Sequence, residues 1–313
     1  MRAPPANDEE CEEVDDMMVP KDDGRAAIEV TRRIARSVQT TIGWIFWDPG
    51  AIQRYEALGV PGPLGYIASR SAPLASAGPE AVNAAFGSIS PLGIALALDV
   101  VGSADRFGQI WQARDEAVVE GIRAFAPALE DPLVESAPAL WSVVDELPVV
   151  GRVLFGAVLG VDRPSDPLLS GWHAINALRE WRGDTHWALV VSAGLTQAEA
   201  SILHNAWLDY EHDWLARSRG TRAEDLADGW ASLRRRGLVV DGRVTSEGIA
   251  LRQHLEDETD RLTTLPWERF GLDASIELAA ALEPPCERLL ERVDMTAGPN
   301  YQPASRIRTR ATG

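Results

Sequence analysis

Gly237-Leu238-Val239-Val240-Asp241-Gly242-Arg243-Val244-Thr245-Ser246-Glu247-Gly248 holds the chain's one convincing β-alternation, and it turns on Asp241-Gly242. That pair favours a two-residue hairpin, because both turn positions need positive φ. The surroundings read as helix. Upstream, the pattern predicts helices from Thr196 to about Leu208, around Trp214, and from Arg222 to Arg236, while Ser246-Glu247-Gly248 opens another. Apolar residues also recur at intervals of three and four from Ile28 to Ile45, Phe107 to Phe125 and Leu168 to Val191. Pro61, Pro63, Pro73, Pro79 and Pro91 break the stretch between Gly59 and Pro91 into expected short helices and ordered loops.

The order helix, short helix, helix, hairpin resembles the winged helix of MarR-type regulators, most specifically from Leu233 to Leu251. The expected fold is mainly α: an N-terminal helical domain plus a C-terminal winged helix–turn–helix domain with a small β-hairpin wing. Its expected parts are an acidic leader over 1–23, disordered for lack of apolar periodicity, a helical domain over 24–165, a connecting helix with the winged domain over 166–295, and a flexible basic tail over 296–313.

Composition limits the function classes. Hydrophobic residues make up 45% and charged residues 25% of 313, ordinary globular values. No apolar run is long enough to span a bilayer and the N-terminus is acidic, so a soluble, cytoplasmic protein without a membrane partner is expected. Cys11 and Cys286 lie far apart and fit neither a disulfide framework nor a metal knuckle. The net charge of −17 disfavours a polyanionic partner. In a DNA reader the helix from Arg222 to Arg236 would enter the major groove, yet its N-terminal half carries Glu224, Asp225 and Asp228. The run Arg234-Arg235-Arg236 sits at its C-terminal end, where it offsets the helix dipole. No nucleic-acid partner is therefore expected.

The segment Gly171 to Ala193 is the most informative for chemistry. Wound at 100° per residue, it places His173, Glu180 and Asp184 on one stripe and Arg179, Arg182 and His186 on the next, with Trp172, Gly183, Trp187 and Val190 between them. Such a helix is expected to be buried on both sides. Buried acids, guanidinium groups and imidazoles must pair, and their pKa values move. His186 is the expected general acid or base, oriented by Asp184 or Glu180, with Arg179 or Arg182 holding an anionic substrate group and His173 also among the substrate-binding residues. A structural ion-pair network between the domains is the alternative. Trp172 and Trp187, with Trp44 and Trp47, are the expected pocket wall, although tryptophan serves core packing more often. A second cluster, His204, Asp209, Glu211, His212 and Asp213, lacks metal-site spacing and reads as an exposed helix end, and His254 reads as a surface residue.

The order of features from Ile28 to Leu272, and above all Leu178 to Leu195, is similar to that of an actinobacterial helix–turn–helix family, with this chain a divergent member. Where that family tends to carry a histidine ahead of an aromatic pair, Ile42 precedes Phe46-Trp47-Asp48-Pro49-Gly50 here. Where it tends to have Asn-x-His-Pro, Ser88-Ile89-Ser90-Pro91 stands. The departures imply a more apolar pocket.

No phosphate loop, dinucleotide fingerprint, zinc signature or nucleophile elbow is visible. The expected function is a cofactor-independent acid–base enzyme of the cyclase, isomerase or lyase type, acting on a hydrophobic small molecule in bacterial specialised metabolism. The alternative is a ligand-responsive winged-helix regulator, possible as a homodimer, or a noncatalytic binding protein.

Overall fold

The computed structural model describes residues 22–301. The leader expected over 1–23 lies almost wholly outside the described residues, as does the tail from 302 onward. The described chain runs through α1 (Asp22–Gly43), α2 (Pro49–Ala57), α3 (Gly62–Ser71), α4 (Pro79–Ala85), α5 (Pro91–Val101), α6 (Ala104–Phe125), α7 (Glu130–Glu146) and α8 (Val153–Leu159). The central helix α9 (Pro167–Ser192) follows, then α10 (Gln197–Trp207), α11 (Trp214–Ser218), α12 (Ala223–Arg235), β1 (Val239–Val240), β2 (Arg243–Val244), α13 (Ser246–Leu262), α14 (Leu265–Phe270) and α15 (Leu272–Thr296). Among the described residues the only sheet is the two-stranded hairpin, so the protein is mainly α-helical with a helix–turn–helix module.

Local chemistry fixes the module. Thr196 and Glu199 form a reciprocal capping box that starts α10, satisfying donors a helix N-terminus leaves open. In the hairpin Val239 pairs with Val244 and Val240 with Arg243. Asp241 and Gly242 take φ of 49° and 73° between them, the double left-handed turn that suits Asp-Gly. Val190, Leu195, Ile202, Leu203, Leu226, Leu233, Val239 and Leu255 form the module's own core.

A larger core unites α1 to α8 with the first half of α9, and the chain returns to it after α13. Trp267, Leu278, Leu282, Cys286 and Leu289 of α14 and α15 pack with Ile34, Val38 and Leu133 there. The division of the apolar residues therefore differs from a break at 165/166: the winged module is inserted into the helical body rather than following it, because α15 carries an apolar face that only α1 and its neighbours cover. The first residues assigned to the flexible tail are also engaged. Pro299–Tyr301 form a 3₁₀ turn, and the Tyr301 ring lies 4.4 Å from Trp47 and 4.9 Å from Trp214.

Helix α9 joins the two cores. It packs along α1, α7 and α8 of the body and α13 of the module, and every residue from Gly171 to Trp181 is buried. A helix buried all round must satisfy its polar side chains within the protein. No helix among the described residues is long and apolar enough to cross a membrane.

Candidate functional site

A cavity of about 120 Å³ lies where α9 meets the winged module. One face of α9 supplies Arg179, Glu180, Arg182, Gly183, His186, Trp187 and Val190, spaced as neighbours on a helix. The rest comes from segments far apart in sequence: Gln39 of α1, Arg70 of α3, Ser88, Ser201 and His204 of α10, Arg219 after α11, and Arg252 and Glu256 of α13.

Five arginines and two glutamates line this space in a chain whose net charge is −17. Two ion-pair clusters organise them. Glu180 receives Arg70 at 2.7 Å and Arg179 at 2.5 Å, and Gln39 Oε1 accepts from Arg179 Nε at 3.0 Å. Burial alone would raise the Glu180 carboxyl, but the two guanidinium groups outweigh it and hold it at about 2. In the second cluster Glu256 accepts from Arg182 at 2.7 Å and Arg252 at 2.8 Å, and burial is again overcome, bringing this carboxyl to about 2. Arg182 also reaches Asp260, which accepts from Arg32 as well. Among the described residues, Arg182 Nε and Arg252 Nη1 are buried donors with no acceptor. Native proteins leave few such groups.

His186 lies on the same wall. The Thr259 hydroxyl donates to Leu255 O at 2.6 Å, so it accepts from His186 Nδ1 at 2.8 Å. A neutral His186 then carries its lone pair on Nε2. Trp187, half-buried, packs so closely on Gly87 that a Cβ there would overlap the indole ring.

The expected stripe thus divides. Arg179, Glu180, Arg182, His186 and Trp187 meet at the cavity. Asp184 does not orient His186: its carboxylate turns to the start of α8 and accepts from Phe155 N at 2.9 Å. Burial, opposed only in part by that hydrogen bond, pushes Asp184 up to about 6. Glu180, held ionised between two arginines, is a charge partner rather than a proton donor. His173 lies outside the cavity lining, 3.0 Å from Asp115 and 3.4 Å from Arg114, and burial lowers its pKa against the pull of Asp115. Trp172 and Trp44 are core residues, the former donating to Thr41 O at 2.7 Å. Trp47 lines a different space, next to Tyr66 and Tyr301.

Residues without a sequence signal complete the site. Glu256 is buried beside a surface-exposed His254, and His204, read as part of an exposed end, lines the cavity. His212, by contrast, is exposed. The spacing of four between Arg252 and Glu256 is the one clue that the sequence held. Ser88-Ile89-Ser90-Pro91 also gains a structural reason: Ser90 Oγ caps α5 by accepting from Gly93 N at 3.1 Å, and Ser90 N donates to Arg219 O at 3.1 Å. The turn before α12 is thereby tied to the helical body. Gly220, with φ of 75°, fits there because a Cβ would stand 2.9 Å from Ser90 Oγ.

On α12, Glu224, Ala227 and Asp228 face solvent. Arg222 is engaged by Glu224 at 2.6 Å and Asp225 at 2.9 Å, so the helix N-terminus presents more acid than base.

No curated protein and no solved structure matches the chain. A helix–turn–helix family model matches residues 31–296, which span the helical body, the cavity and the winged module alike, and the chain belongs to that helix–turn–helix family.

Proposed function

We propose that this helix–turn–helix protein binds an anionic small molecule in the cavity between its helical body and its winged module. The observation that carries this reading is the concentration of five arginines against two glutamates around an interior space of a strongly acidic protein. Arginine that is buried and incompletely paired is costly unless an anion completes it. Arg182 and Arg252 both line the cavity and are the arginines that such a ligand would meet. The expected ligand, a hydrophobic molecule with an anionic group held by Arg179 or Arg182, is kept in this reading, with Arg252 joining Arg182 around the acidic group.

Binding here touches both the body and α10 and α13 of the module, the geometry a ligand-responsive regulator requires. The sequence of helix, short helix, helix and wing supports the finer likeness to MarR-type regulators and, with the family resemblance, an actinobacterial origin. The acidic N-terminal half of α12 weighs against DNA as the main partner. Acid–base turnover of the bound molecule is the second reading, favoured by the Thr259 hydrogen bond that places the proton of a neutral His186 on Nδ1 at the cavity wall.

Native mass spectrometry of the protein purified from its own host tests the proposal, with Arg182→Gln and Arg252→Gln alongside. The expected result is a co-purifying acid that both variants lose. Retention of duplex DNA through moderate salt, with no small acid bound, would overturn it.

A further inference from the structure

A second chamber adjoins the arginine cavity. It holds about 300 Å³ and is walled by Phe46, Trp47, Tyr66, Ile67, Trp214 and Tyr301. Three parts of the chain build it. Phe46, Trp47 and Tyr66 belong to the helical body, Trp214 to α11 of the module, and Tyr301 to the turn after α15. Their rings are mutually tilted, with Phe46 and Tyr66 at 4.2 Å and Trp214 edge-on to Tyr301 at 4.9 Å. Rigid aromatic walls of this kind fit flat apolar groups.

Gln39 and Arg219 line both chambers. The arginine chamber alone, at about 120 Å³, is below the roughly 300 Å³ at which pockets for organic ligands begin, whereas the aromatic chamber reaches that size. Neither makes a complete site: one has charge without room for a molecular body, the other a molecular wall without a buried cluster of cations.

Resting on the anion-binding reading, we propose that the two chambers form one elongated site for an amphipathic organic acid. Its carboxylate lies among Arg182, Arg252 and Arg219, and its aromatic or polyene body lies between Trp47, Trp214 and Tyr301. Gln39 and Arg219 flank the passage. Because the ligand would touch the body, the module and the C-terminal turn together, the site is completed only when all three are docked.

Isothermal titration of the full chain with 6-phenylhexanoate, 6-phenylhexan-1-ol and acetate tests this. The acid is expected to bind about tenfold or more tightly than either fragment, because joining two contacts makes the second intramolecular. Arg252→Gln is expected to bring the acid to the level of the alcohol and leave the alcohol unchanged. Trp47→Ala, or Tyr301→Ala should the former misfold, is expected to weaken acid and alcohol alike while acetate is unaffected. An acid whose affinity falls in Arg252→Gln but not in either aromatic variant would overturn the joined site and leave the anion site standing. An acid insensitive to Arg182→Gln and Arg252→Gln would overturn both.

Discussion

Arg252 and Glu256, one turn apart on α13, are paired at 2.8 Å through Nη2, while Arg252 Nη1 stays buried without an acceptor among the described residues. Glu256 thus neutralises part of an arginine cluster and leaves part uncompensated. Glu256→Gln is expected to destabilise the empty protein by about 3–5 kcal/mol, since it strands Arg252 and leaves Arg182 with Asp260 as its remaining carboxylate. It should also enlarge the rise in melting temperature produced by added sulfate. Thermal unfolding with and without sulfate reads both effects, and a destabilised variant with no larger sulfate response would mean that the network serves structure alone.

Asp184 gives a pH dependence of defined sign. Its carboxyl is pushed up to about 6 by burial, so between the ordinary carboxylate range and 6 the folded protein holds a proton that the unfolded chain has released. Stability is lost as pH rises through that window. Asp184→Asn keeps an oxygen for Phe155 N and removes the ionisation, so its stability relative to wild type should increase by about 1–1.5 kcal/mol from pH 5 to pH 8. Urea unfolding at the two pH values measures this, and a change of opposite sign would contradict the burial argument. Glu180 and Glu256, both held at about 2, act in the other direction: their stabilisation is present at neutral pH and is lost as acid protonates them.

Gly87 sets the position of Trp187. Gly87→Ala places a methyl where the indole lies and should cost about 1–3 kcal/mol of overpacking. Because Trp187 is a cavity wall, anion affinity should fall with it. An alanine variant with unchanged melting temperature and unchanged affinity would show that the indole moves aside freely.

Thr259 is expected to fix the tautomer of His186. Nitrogen chemical shifts of the neutral ring should report a proton on Nδ1 in the wild type and a mixture in Thr259→Val. A wild-type ring protonated on Nε2 would remove the support for acid–base chemistry at this residue.

The fold was legible where a local rule decides it. Asp241-Gly242 turns because those residues accept positive φ, Thr196 and Glu199 start a helix between themselves, and the period of α9 placed Arg179, Arg182, His186 and Trp187 on adjoining lines. The same period could not say what stands opposite. Asp184 shares a stripe with Glu180, yet α8 captures it through Phe155 N, and His173 is captured by Asp115 of α6. Arg70 and Arg219 come from elements with no chemical motif of their own, so only the packing of the body against the module reveals them. The return of α15 to the first core was hidden likewise, since an amphipathic helix records that it has an apolar face and not which neighbour covers it.

Crystals soaked in sodium bromide and measured at the bromine absorption edge test anion binding most directly. The expected result is an anomalous peak inside the cavity, beside Arg182 and Arg252, that Arg252→Gln abolishes. Bromide found only at surface arginines such as Arg234 and Arg235, with none in the cavity, would contradict the account.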